Sequence, residues 1–313
     1  MPEPQFCETS GGREESAGHP FWGWFLLSLL LAAVIGLTWW VPYQFDRRQW
    51  QQQMMPTAVQ FNPGSRPWLE NMFGHESLTD ACLPLIAAHT DIESLDLSGS
   101  EVTDEGLSQL APLEDLQWLT LQDTRVSDEG LQALADMTEL LGIDLSNTRV
   151  TGHGLSQLVH LQRLSSLSFS GAPVDDEGLR QIGKFMNLNG LDLEKTRITD
   201  EGLHHLASLD HLHVLRLNAT VITSRGIIRL GPKPLLRMLH LDWTLIDDRA
   251  LATIGACPRV MELSLTGTSV TDVGLPQIHN LDQLTVLILN HAAVTSHGVR
   301  AYRLALPNCV VAR

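Results

Sequence analysis

No two cysteines in this 313-residue chain stand a CxxC spacing apart. Cys7, Cys82, Cys257 and Cys309 are scattered along its length, so zinc and dithiol readings lack their basic signal and no disulfide framework is suggested. Basic residues are scarce too. Against 36 Asp and Glu there are 21 Lys and Arg, a formal net charge of -15. Nucleic-acid backbones and anionic lipid surfaces attract Lys and Arg, so neither is the expected partner. Signatures of catalysis are also missing. There is no HExxH pair and no GxSxG elbow. Gly178 to Lys184 (GLRQIGK) approximates a phosphate loop, but Phe185 follows where Ser or Thr would hold magnesium. His204, His205, His211 and His213 cluster without ligand spacing and read as surface histidines. With no nucleophile, base and orienting group at recognisable spacing, the expectation is no enzyme, no cofactor and no metal.

Charge is absent altogether between Glu15 and Asp46. Inside that window Phe21 to Val41 is almost wholly apolar, and about 20 such residues cross a bilayer as a helix. Phe21, Trp22, Trp24 and Phe25 flank one end, and Trp39, Trp40, Tyr43 and Phe45 the other, the places where amphipathic rings meet headgroups. A cleaved signal peptide fits poorly, because the preceding tail is acidic and no small-x-small cleavage site follows. The expectation is an acidic tail over 1–19, a membrane helix over 20–43 and a linker over 44–70. Arg47 and Arg48 outnumber Arg13, which places the carboxy-terminal domain on the cytoplasmic side. The margin is one residue, and the reverse topology stays open.

From about residue 71 the chain repeats itself. Leu95/Leu97 returns as Leu119/Leu121, Ile143/Leu145, Leu167/Phe169, Leu191/Leu193, Leu215/Leu217, Leu239/Leu241, Leu263/Leu265 and Leu287/Leu289, always 24 residues on. A partial unit at Leu78–Leu83 precedes these nine, and a terminal strand is expected where Val310–Arg313 closes the chain. In each unit the period-two stretch reads as a half-buried strand. A hydroxyl usually follows, as at Ser100, Thr124, Thr148, Thr196, Thr220, Thr244 and Thr268, suited to satisfy buried turn groups. Then comes VTDEGL (102–107) or a variant such as ITDEGL (198–203), with a hydroxyl or Asp as helix cap. The acids after it are expected on the positive end of the helix dipole, and the glycine is expected to let neighbouring helices approach.

One unit cannot bury its own apolar face, but stacked units can. Over about residues 75–313 the repeat resembles the leucine-rich-repeat family. Its TDxGL start is similar to the subclass found in F-box receptors and in bacterial membrane-anchored repeat proteins. The resemblance implies an α/β solenoid, with a curved parallel sheet inside and short helices outside. Thr stands where the family's ladder usually has Asn or Cys, and no F-box precedes the repeats, so a ubiquitin-ligase role is not carried over.

In such a fold, residues between the strand leucines point to the concave face. Arg216, Met238, His240 and Trp243 gather in the sixth and seventh units, and Trp118 is the other tryptophan of the repeats. Aromatic and Arg side chains dominate binding hot spots. The expected partner-binding set is Trp118, Asp192, Arg216, Met238, His240 and Trp243, for a protein or peptide ligand. The bland alternative is that Arg216 pairs with Asp192 on the adjacent strand while the tryptophans pack locally. Self-association as a structural envelope protein is the competing function. Gly231-Pro232-Lys233-Pro234 interrupts the sixth helix end, and Asn218-Ala219-Thr220 matches a glycosylation acceptor.

Overall fold

The structure is a computed structural model and describes residues 78–313. The expected tail, membrane helix and linker, including Phe21 to Val41, lie outside the described residues. Within them, no helix is long and apolar enough to cross a membrane.

Ten three-residue strands form one parallel sheet in chain order. They are β1 (Ser94–Asp96), β2 (Trp118–Thr120), β3 (Gly142–Asp144), β4 (Ser166–Ser168), β5 (Gly190–Asp192), β6 (Val214–Arg216), β7 (Met238–His240), β8 (Glu262–Ser264), β9 (Val286–Ile288) and β10 (Val310–Ala312). The register follows the sequence period, with Leu95 opposite Leu119, Leu119 opposite Ile143 and Leu167 opposite Leu191. Each middle residue turns into the core, where Leu119, Leu167, Leu191 and Leu215 are buried. Burying one such leucine contributes about 2 kcal/mol, so the stack is stabilised rung by rung. The outer turns are short, some α-helical, as at Asp176–Ile182 and Ser224–Leu230, and some 3₁₀, as at Gly130–Leu134 and Leu203–Leu206.

The seven recurrent hydroxyls do the expected work. Thr124 Oγ1 donates to the Leu121 carbonyl at 2.6 Å, and Ser100, Thr148, Thr196, Thr220, Thr244 and Thr268 repeat that bond three residues back. All are buried, so each hydroxyl satisfies a carbonyl that water does not reach.

At the helix starts the acids do stand in the first turn, as Asp104, Glu105, Asp176 and Glu177 do, and the structure adds a second role. The capping hydroxyl does accept from an amide two residues on, as Thr199 does from Glu201 at 3.2 Å. The aspartate beside it, however, serves the next repeat. Asp176 accepts the Thr199 amide at 2.8 Å and the Thr199 hydroxyl at 2.6 Å. Asp80–Thr103, Asp104–Ser127, Asp200–Thr223, Asp248–Thr271 and Asp272–Thr295 do the same. This ladder of carboxylates explains the glycine. A Cβ on Gly202 would lie 2.3 Å from Asp176 Oδ1, and one on Gly298 would lie 2.0 Å from Asp272 Oδ1.

One junction trades these sizes. Ser224 stands where the sixth repeat would carry the aspartate, and Ala250 stands where the seventh would carry glycine. Ser224 Oγ donates to Asp247 Oδ1 at 2.6 Å and accepts the Asp247 amide at 2.9 Å. A shorter side chain below leaves room for a methyl above, and Ala250 is fully buried. Just before this junction Lys233 fills the slot that Leu209 and Cys257 occupy in the flanking repeats, and it too is buried. Its ammonium donates to the Ala207 carbonyl, and burial lowers its pKa.

The terminal strand expected at Val310 is β10. The carbonyl of Val311 accepts from Arg303 Nη2 at 2.7 Å. A side chain therefore occupies an edge group that could otherwise pair with another strand.

Candidate functional site

The flanking residues of the strands form two rows on the face turned away from the core. Parallel pairing places Asp192, Arg216, His240 and Ser264 side by side. Adjacent strands lie about 4.8 Å apart, so long side chains on neighbouring rungs lie against one another. Arg216 Nη1 sits 3.8 Å from Asp192 Oδ2, and its Nη2 lies 3.7 Å from Met238 Sδ. His240 Nε2 meets Glu262 Oε1 at 2.9 Å.

The sequence reading expected these side chains to be exposed. The structure buries Asp192, Arg216, Met238 and His240, each below a tenth of its full exposure. Trp118, expected to be exposed on the same face, is 7% exposed. Its ring lies over Gly142 on the next strand, where a Cβ would come within 2.2 Å of it. Trp118 Nε1 has no hydrogen-bond acceptor among the described residues. The local pairing named as the alternative, Arg216 with Asp192, is therefore present. Trp118 stands three strands away from β5 and is not part of the cluster.

Burial dominates the electrostatics of Asp192. It pushes the carboxyl up to about 6, against the pull of Arg216 and of the Glu194 amide that Asp192 accepts at 2.9 Å. Glu262 moves the other way, because the hydrogen bond from His240 favours its carboxylate. The acids of this face also hold the following turns. Asp96 accepts the Ser98 amide and Asp144 the Ser146 amide, both at 2.9 Å. Asn218 Oδ1 accepts the Asp242 amide at 2.8 Å, and Asn218 is buried, which withdraws the glycosylation match from solvent.

Trp243 is different. It lies beyond β7, on the lip where the chain leaves the carboxy-terminal ends of the strands, and it is 57% exposed. Its φ of +57° is left-handed. Every repeat places a left-handed residue there, among them Gly99, Asn147, Ala219 and Gly267, so the turn dictates the conformation. A bulky residue in it is costly, by about 1 kcal/mol or more. The ring lies over Gly267 and stacks on His291, with centroids 5.8 Å apart at 30°. Leu245 and Val221, 62% and 60% exposed, stand on the next row of the lip. Parallel bridges join Thr223 to Leu245, Asp247 to Ser269 and Thr271 to Ala293, tying this part of the lip together.

Residues 88–111 match the family model described as "Leucine Rich repeat", and that stretch is one 24-residue unit containing β1. The fold is that of a leucine-rich-repeat solenoid. Among solved structures it is similar to internalin C2 from Listeria monocytogenes, with a TM-score of 0.50 and 22% identity, over 72% of this chain and 82% of that one. At that identity the likeness concerns the fold. No curated protein matches the chain.

Among the described residues no group of three or more His, Cys, Asp or Glu side chains is placed to hold a metal ion. The rings of His204 and His205 lie against each other tilted by 40°, and His213 Nδ1 contacts the His211 carbonyl at 2.8 Å. Val221, Leu245 and His291 went unnoticed in the sequence. Reading the 24-residue columns at the turn, as well as at the leucines, would have found them.

Proposed function

We propose that the protein is a membrane-tethered binding module whose protein partner docks on the lip around Trp243 and the adjoining edge of the sheet. The observation carrying this is a tryptophan kept more than half exposed in a left-handed turn that Ala219 and Gly267 fill in neighbouring repeats. An outlying residue choice at an exposed, well-anchored position points to recognition, and aromatic anchors dominate binding energy. The buried charged row behind the lip holds β5 to β8 in register and limits what a partner can reach. The tether rests on the apolar stretch Phe21 to Val41. Self-association by strand addition gains no support at β10, where Arg303 occupies the Val311 carbonyl.

The test is photo-crosslinking from a benzoylphenylalanine at position 245 of the full-length chain in isolated membranes. One dominant protein adduct is expected, and it should vanish when Trp243→Ala is added. Adducts that ignore Trp243→Ala would remove the lip as the docking edge. For the tether, the chain should stay with membranes after a carbonate wash, and deletion of residues 20–43 should release it.

A further inference from the structure

Resting on that reading, we infer that the lip receives an acidic, extended peptide segment of the partner. Its carboxylates meet Arg149 and Arg197, and its apolar side chains cover Val221, Leu245 and Trp243. The argument begins with the outermost column of the lip. At successive repeats it holds Arg125, Arg149, Pro173, Arg197, Val221 and Leu245. This protein carries a net charge of -15, yet three of its 21 basic residues stand in this one column. Arg125 is engaged, with Nη2 3.3 Å from Glu101 Oε1. Arg149 and Arg197 are exposed, and neither has an ion-pair partner among the described residues. A guanidinium offers a planar fork of donors that matches a carboxylate.

The apolar half follows directly. Val221 and Leu245 continue the arginine column, and Trp243 stands beside Leu245 on the neighbouring row. Arg149 and Leu245 are four repeats apart. At about 4.8 Å per strand the span is about 19 Å, the length of about six residues of extended chain. The order of chemistry, cation then apolar surface, fits a peptide that is acidic at one end and apolar at the other. A polyanion such as single-stranded RNA fits less well. Pro173 separates the two free arginines, and the rest of the molecule repels phosphates. The parallel bridge at Leu245 fixes the apolar part before any ligand arrives, which lowers the ordering cost of binding.

Fluorescence anisotropy with the full-length protein in detergent micelles tests this. The first probe is a labelled hexapeptide of three glutamates followed by glycine, leucine and phenylalanine. The second replaces the glutamates with lysines, and the third is labelled oligouridylate. We expect the acidic probe to bind and to weaken at least tenfold with Trp243→Ala and with the double variant Arg149→Glu/Arg197→Glu. Ala219 already occupies the equivalent turn position, so Trp243→Ala should fold; circular dichroism and thermal melting check both variants. Binding that ignores the arginine variant, equal binding of the lysine probe, tighter binding of oligouridylate, or no binding of the acidic probe would each overturn the inference. If the lysine probe binds and still depends on Trp243, the acidic preference fails while the lip survives as a docking edge. If crosslinking from position 245 also ignores Trp243, the docking edge fails with it.

Discussion

Two rows of aspartates cross the same stack of repeats under opposite conditions. At the helix starts, Asp176, Asp200, Asp248 and Asp272 each receive an amide and a hydroxyl from the repeat that follows. On the sheet, Asp192 is buried beside Arg216 at 3.8 Å and accepts the Glu194 amide at 2.9 Å. Burial alone would raise Asp200, but the Thr223 hydroxyl and amide and then Arg225 bring it below the usual carboxylate range. Asp272 is lowered chiefly by Thr295. Asp247, which stands in the ladder's threonine column and accepts from Ser224 at the exchanged junction, is held at about 2 chiefly by Arg249. Asp192 goes up to about 6. The same side chain stabilises the stack where donors meet it and resists burial where they are few.

The largest expected effect comes from breaking the ladder sterically. Gly202→Ala puts a Cβ against Asp176, whose carboxylate Thr199 already pins. Denaturant unfolding should show a loss of about 3 kcal/mol, the upper part of the range for overpacking. A loss under about 1 kcal/mol would mean that the ladder yields easily. The next effect exploits the exchanged junction. Ser224→Asp forces a carboxylate toward the Ala250 methyl and should cost about 2 kcal/mol. Adding Ala250→Gly should recover most of that, and additive losses in a double-mutant cycle would refute the size exchange.

The most gradual effect, spread over about two pH units, is one of pH. Asp192 binds its proton more tightly folded than unfolded, so its contribution is fully present below about pH 4 and is lost as pH rises toward about 6. Across that window it lowers stability by about 1 kcal/mol per pH unit. Asp200 and Asp272 of the ladder oppose this at lower pH. Their folded pKa is depressed, so their stabilisation is present above about pH 4 and falls away below it. Asp192→Asn should flatten the slope between pH 4 and 6 and leave the acid limb intact. An unchanged slope there would assign the dependence to other groups.

What the sequence displayed well was whatever repeats within one unit. Leucine pairs 24 apart, the buried threonines and the terminal strand could all be read along the chain, because each depends on local alternation and one recurring turn. The ladder could not be read that way. Asp176 and Thr199 lie 23 residues apart, and the local pattern TDEG offers a plausible partner, the helix dipole, only two residues away. Trp118 and Arg216 misled for a related reason. Their column faces away from the core, but on a sheet this tightly pitched a large side chain lies over its neighbour, Gly142 in one case and Met238 in the other. Lys233 gave no hint of burial, since its charge concealed a position that the column of Leu209 and Cys257 reveals.

The pairing of Ser224 with Ala250 bears on how such an array can change through its lineage. Where aspartate faces glycine, a unit can be copied or lost by unequal recombination and its new neighbours still mesh. The seventh unit is not interchangeable in this sense. Moved behind any aspartate-bearing unit, it would set its methyl against a carboxylate. Units six and seven are thus matched as a couple, and they are also the two that carry Val221, Trp243 and Leu245.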